Sequence, residues 1–275
     1  MNDNLQSKKL LTRRIIYILI ALSVIIPLIF KIGLPLKTTV EVEHVYNFID
    51  KLPEGSTVIF SFDHDTATLP EMIPLAESML RHCFSKNIKV LGLALLAEGA
   101  AVGEDNFRRI GNEYNKRYGE DYLFMGYRPQ VDVAILGMGE NIDRVFPMDY
   151  YGEDIRSYPL MNGIINYNDI AAIISVGDGD IPVHWINYAQ ARYKAKIIPA
   201  VTAVMATTIY PFIQSGQVVG LVAGLRGAAE YEKLIGKPGI AVNGMDAQST
   251  AHLLIVGLII AGNIILVVNR KRNSK

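Results

Sequence analysis

Two long apolar runs, one near each end of the 275-residue chain, limit what it can become. Residues 15–30 (IIYILIALSVIIPLIF) carry no charge, follow Lys8, Lys9, Arg13 and Arg14, and continue to Leu36 with Lys31 as the one charged interruption. Residues 249–268 (STAHLLIVGLIIAGNIILVV) hold no Asp, Glu, Lys or Arg and run into NRKRNSK. About 20 apolar residues in helical form cross the hydrocarbon core of a bilayer, and a lysine near the margin can snorkel to the headgroups. Both runs are therefore read as transmembrane helices, over 15–36 and 249–268, between basic tails at 1–14 and 269–275. A secretory signal is the alternative for the first run, but its apolar core is shorter and ends at small residues, whereas KIGLPLK follows here. Each tail carries four Lys or Arg, which by the positive-inside rule places both termini in the cytoplasm and residues 37–248 outside it.

The zero net charge of the whole chain hides an asymmetry. Between the tails stand 19 basic against 26 acidic residues, a net of −7, which argues against a nucleic-acid partner. The single cysteine, Cys83, excludes an intramolecular disulfide, and its apolar-periodic neighbours Leu75, Met79 and Leu80 mark it as a buried thiol.

Between the two spans the pattern alternates strand with helix. Val42, Val45, Tyr46 and Ile49 recur at helical spacing before PEGS breaks the run. TVIFSF, a helix around 75–84, IKVLGLAL, and a helix with Phe107, Ile110 and Tyr114 on one face follow. VDVAILGMG, IAAIISVG and KIIPAVTAV read as three further strands, with an irregular Tyr- and Pro-rich connection over 146–168. Strands apolar on both faces and separated by helices predict an α/β domain: a doubly wound, mostly parallel sheet of Rossmann-like or flavodoxin-like type. Residues 197–225 contain no charge, yet Pro199, Pro211, Gln214, Ser215 and Gln217 argue for a buried soluble segment over a third span. Gly216, Gly220 and Gly224 recur every four residues, which on a helix makes one smooth ridge, serving either the packing of its own sheet or a contact between subunits. In the second span Gly257 and Ala261 form a small-xxx-small pair, and Asn263 invites an interhelical hydrogen bond. These features imply a homo-oligomer or an association with other membrane proteins.

Ligands of an open α/β sheet bind at the carboxyl ends of its strands. Acids fall there: Asp63 and Asp65 around His64, Glu98, Glu140, and Asp178 with Asp180. Such oxygen donors suit Mg²⁺ or Ca²⁺, and His64 added to them suits Zn²⁺, so a divalent cation is the candidate cofactor. Helix initiation explains the same residues without a ligand, with Thr68 and Glu71 as a capping box and Asp180 before Pro182 as an N-cap. GMGENI and GDGDIP lack the third glycine of a dinucleotide fingerprint, and no P-loop, G-x-S-x-G or H-E-x-x-H is present. His184, Trp185 and Tyr188 form an aromatic group, and DYYGED (149–154) an acidic, Tyr-rich loop open to a partner or to solvent.

The strings YPFIQSGQVVGLVAGLRGAAEYEKL (210–234) and GMDAQSTAHLL (244–254), with SFDHD and RHCFSKNIKV before them, resemble a family of uncharacterised prokaryotic membrane-anchored proteins with an α/β domain. The resemblance implies that architecture and no activity. The sequence thus leads to a membrane-anchored binding or assembly module, with a metal-assisted hydrolase and a transport component as the alternatives.

Overall fold

In the computed structural model, which describes residues 2–30 and 32–273 and the side chains of 10–30 and 32–271, six parallel strands carry the central domain. The expectations for Lys31, for the side chains of Lys8 and Lys9, and for the last residues of the second tail lie outside that range. The chain divides into two units, residues 36–241 and, separately, residues 1–35 with 242–275.

The terminal unit holds helix α1 (Asn2–Ile29) and most of α11 (Ile240–Asn273). The stretches 10–29 and 240–271 are long and apolar enough to cross a membrane, and only 6% and 0% of their most apolar windows are buried. Within this unit the Asp246 carboxylate accepts from the amides of Gly33 at 2.7 Å and Leu34 at 3.0 Å, and the Thr250 hydroxyl donates to the Ser23 carbonyl at 2.6 Å. Asn263 donates to the Ile259 carbonyl of its own helix at 2.9 Å, and among the described residues it makes no interhelical hydrogen bond. No heavy atom stands within 4 Å of a Cβ built on Gly257.

The sheet domain opens with α2 (Val40–Asp50), which buries Val42, Val45 and Ile49 as their spacing requires. There follow β1 (Thr57–Asp63), α3 (Leu69–Ser85), β2 (Lys89–Ala94), α4 (Ala97–Glu113), β3 (Tyr122–Tyr127), α5 (Val131–Glu140) and α6 (Ile142–Val145). After an irregular stretch with three 3₁₀ turns come β4 (Ala172–Gly177), α7 (Ile181–His184), a π-helix (Trp185–Gln190), α8 (Ala191–Tyr193), β5 (Ile197–Val201), α9 (Ala206–Gln214), β6 (Val222–Ala223) and α10 (Gly224–Leu234). The strand order is β3-β2-β1-β4-β5-β6. Successive strand residues point to opposite faces. Thus Ile59, Leu91, Leu123, Ile173 and Ile197 pack with Ile135, Met138, Trp185 and Ile186. Phe60 and Phe62 face the other way and meet Phe107 of α4. Cys83, fully buried in α3, has its thiol pushed up to about 12 by that burial, as befits a packing residue.

Three expectations need correction. VDVAILGMG is not a strand: it forms α5, burying Ala134, Ile135, Met138 and Gly139 at i, i+1, i+4 and i+5 while Val133 stays 64% exposed. The third strand is the aromatic run YLFMGY, which the sequence pattern passed over, and Glu140 consequently ends a helix rather than a strand. Gly216, Gly220 and Gly224 share no helix face: Gly216 lies in the turn after α9 at φ 72°, Gly220 in a loop, and Gly224 opens α10 at φ 62°. Gly220 does admit a close backbone approach, from α2, because a Cβ there would stand 2.4 Å from the Glu41 carbonyl oxygen. Residues 197–225 contribute β5, α9 and β6 to the sheet domain.

Candidate functional site

The chain winds outward from β1 through β2 to β3, then crosses back to place β4 on the other side of β1. In open α/β sheets such a reversal, at the carboxyl ends of the strands, is where ligands commonly bind. Asp63 closes β1 directly opposite Gly177 of β4, so the loops carrying His64, Asp65, Asp178 and Asp180 leave from neighbouring points.

Asp63 is 1% exposed, and its carboxylate points into the sheet domain. It accepts from the Ser61 hydroxyl at 2.5 Å, the Leu95 amide at 2.7 Å and the Trp185 indole N–H at 3.4 Å. Burial pushes its pKa up to about 6, against the lowering effect of those three donors and with a small further rise from Asp178. One carboxyl group thereby ties the ends of β1 and β2 to the start of the π-helix. Asp65 turns outward: its Oδ1 accepts from the Ala67 amide at 2.7 Å and caps the 3₁₀ turn 66–68. Asp178 reaches across from β4 to accept from the Asp65 amide at 2.8 Å and from the Thr68 hydroxyl. Glu98 accepts from the Thr66 amide at 3.2 Å. Three carboxylates, two from the loops after β1 and β4 and one from the first turn of α4, thus converge on residues 65–68 and hold that loop in place. Among the described residues no three His, Cys, Asp or Glu side chains gather into a group able to hold a metal.

His64 is 1% exposed, with Nδ1 3.3 Å from the Asp65 carbonyl oxygen and Nε2 buried without a partner. Desolvation holds its pKa below the ordinary value despite the opposing pull of Asp65 and Asp178, so the ring is neutral at pH 7.

The expected caps are only partly realised. Thr68 caps no helix through its side chain, and Glu71 leaves the capping box to accept from the Ala203 amide at 3.0 Å, joining α3 to the loop after β5. Asp180 stands at the N-cap of α7 with Pro182 in the first turn, as the sequence suggested, but makes no side-chain cap bond.

A second group at this edge was half visible in the sequence. His184 was noted there as an aromatic neighbour of Trp185. In the fold its Nδ1 lies 2.5 Å from Oδ1 of Asp132, whose other oxygen accepts from the Tyr188 hydroxyl at 3.1 Å. A carboxylate on Nδ1 fixes the ring's tautomer and orientation. The pair borders a cavity of about 290 Å³ that also touches Gln130, Val131 and Val133. Asp132 and His184 come from helices 52 residues apart, a separation that no local motif bridges.

Comparison with protein-family models, with curated proteins and with solved structures finds no match to this chain. The resemblance noted in the sequence therefore stands on its strings alone. Fold and site define a class and nothing narrower: a parallel α/β protein with flanking helices and two apolar terminal helices long enough to cross a bilayer.

Proposed function

We propose that the chain is an integral membrane protein in which two spans hold a Rossmann-like, doubly wound α/β module outside the cytoplasm, and that it acts as a homo-oligomeric binding or assembly module. The single observation that carries this reading is the apolar surface of the two terminal helices, almost none of it buried within the chain. Surface of that size is stable in water only when lipid or another protein covers it. The strand order, with its reversal between β1 and β4, matches the doubly wound arrangement that leaves a ligand crevice at the strand ends. The carboxylates beside that crevice favour binding over metal-assisted hydrolysis. One oxygen each of Asp178, Glu98 and Asp65 already accepts from the amides of Asp65, Thr66 and Ala67, which gives these carboxylates a structural role that needs no ion.

Self-association has a place to occur. Gly257 and Ala261 lie one helical turn apart on α11, and the open space beside Gly257 allows another helix to approach. The mass of the detergent-solubilised protein, corrected for bound detergent, is expected to correspond to two or more chains and to fall toward one in Gly257→Leu. A wild-type particle of one chain would remove the oligomer from the proposal.

A further inference from the structure

The far end of the sheet carries a feature that neither the acidic loops nor the membrane helices use. Where β3 ends, Gly126 and Arg128 line a cavity of about 400 Å³ with Pro147, Met148, Asp149 and Tyr150. That volume lies within the range of small-molecule sites. The Arg128 guanidinium is laid over the Phe146 ring at 5.3 Å from its centroid. Among the described residues Arg128 makes no ion pair or side-chain hydrogen bond, and its Nε is buried without an acceptor. With no carboxylate paired to it among the described residues, the guanidinium keeps its remaining donors for water or for an anionic ligand.

The one acid in the cavity wall does not supply it. Asp149 is committed to the Tyr118 hydroxyl at 2.7 Å, the Tyr158 hydroxyl at 2.8 Å, and the amides of Tyr151 and Glu153, both at 2.9 Å. Those four donors spread its charge and hold the 149–154 loop in place. That loop is the DYYGED segment, and it carries exposed aromatic side chains beside the cavity. Tyr150 is 42% exposed and Met148 58%, and Tyr127 on the strand side is 44% exposed. Exposed tyrosine and methionine side chains beside a guanidinium without an internal ion pair suit a ligand with two parts: an oxyanion for Arg128, and an aromatic body for the tyrosines and Met148.

We propose that this cavity binds a small aromatic oxyanion, with Arg128 holding its carboxylate or phosphate group. The proposal supplies a ligand for the binding module inferred above, and rests on that reading only for its biological setting.

The test uses the full-length protein in non-ionic detergent, with phenyl phosphate, benzoate and inorganic phosphate titrated by calorimetry at low salt. Phenyl phosphate or benzoate is expected to bind saturably, and whichever binds tighter identifies the oxyanion. Inorganic phosphate is expected to bind at least tenfold more weakly than phenyl phosphate. Arg128→Gln is expected to weaken the aromatic anions at least tenfold, while Arg192→Gln, a change at an exposed arginine bonded to Glu140, leaves them unchanged. The melting temperature of Arg128→Gln is expected to change little, because only the stacking on Phe146 is lost and no ion pair goes with it; a marked fall would assign Arg128 a structural role. Absence of saturable binding by both aromatic anions, or equal binding in Arg128→Gln, would overturn the proposal. A protein that binds neither anion yet remains in alkali-washed membranes leaves the anchoring reading intact, so the two failures are distinguishable.

Discussion

Replacing Asp63 by alanine is expected to lower the unfolding free energy of the sheet domain by about 2–4 kcal/mol at pH 7, since it strands buried donors on Ser61, Leu95 and Trp185. Asp63→Asn is expected to cost less than Asp63→Ala. Its Oδ1 can still accept from the Leu95 amide, and its Nδ2 can donate to the Ser61 oxygen once that hydroxyl rotates, so that only the Trp185 indole N–H, the longest of the three bonds, loses its acceptor. The comparison of Asp with Asn carries a definite pH signature. The folded-state pKa of Asp63, pushed up to about 6, lies above its unfolded value of 3.8. Between those pH values the folded state therefore binds more protons than the unfolded one, and this group's contribution to stability falls as pH rises. Below pH 4 both states are protonated and the penalty vanishes; above pH 6 it is complete, on the order of 3 kcal/mol. The wild type is thus expected to gain on Asp63→Asn as pH is lowered from 7 to 4. The difference between the two proteins is the quantity to follow. His64 and His82, both held below their ordinary pKa mainly by burial, make each protein less stable over the same interval and cancel in the difference. Chemical denaturation at four pH values checks this; a difference that does not change with pH would mean that Asp63 is not buried as described.

Gly99→Ala is expected to be the second severe substitution. Gly99 lies in the first turn of α4, where the helix rests on the end of β1, and a Cβ there would stand 1.9 Å from the Phe62 carbonyl oxygen. The obstacle is backbone of a central strand, so relief requires α4 to move off the sheet beside Asp63. Overpacking of this kind costs about 3 kcal/mol, and for a domain of this size that corresponds to roughly 10 °C in Tm. Gly179→Ala is the control, because a Cβ there meets nothing within 4 Å. Thermal unfolding of the two variants should separate them clearly, and equal melting temperatures would contradict the packing of α4 on β1.

These two residues also show what the sequence could and could not disclose. The central strands were legible because β1, β2, β4 and β5 are apolar on both faces and bounded by turns, the pattern of a sheet covered on both sides. The exchange of β3 for α5 has a local cause. VDVAILGMG is apolar nearly throughout, so periodicity could not separate strand from buried helix, while the short aromatic YLFMGY between charged turns gave little signal. At the site, the position of Asp63 at a strand end was legible, but its role was not. Its partners Leu95 and Trp185 lie 32 and 122 residues away, and only the sheet order brings them together. The same holds for Glu71, whose partner Ala203 is 132 residues distant, and for Asp132 with His184. Cap signatures mark where helices can begin; they do not say whether a side chain has been recruited elsewhere.

In the proposed topology both apolar helices cross one membrane, with the sheet domain on the far side from the tails. Small epitope tags at residues 1 and 275, probed with antibody and protease on intact cells and again after permeabilisation, test it most directly. The account requires both tags to be hidden in intact cells and revealed by permeabilisation, while protease added outside cuts the central domain. A tag at either end that antibody reaches on intact cells would contradict it.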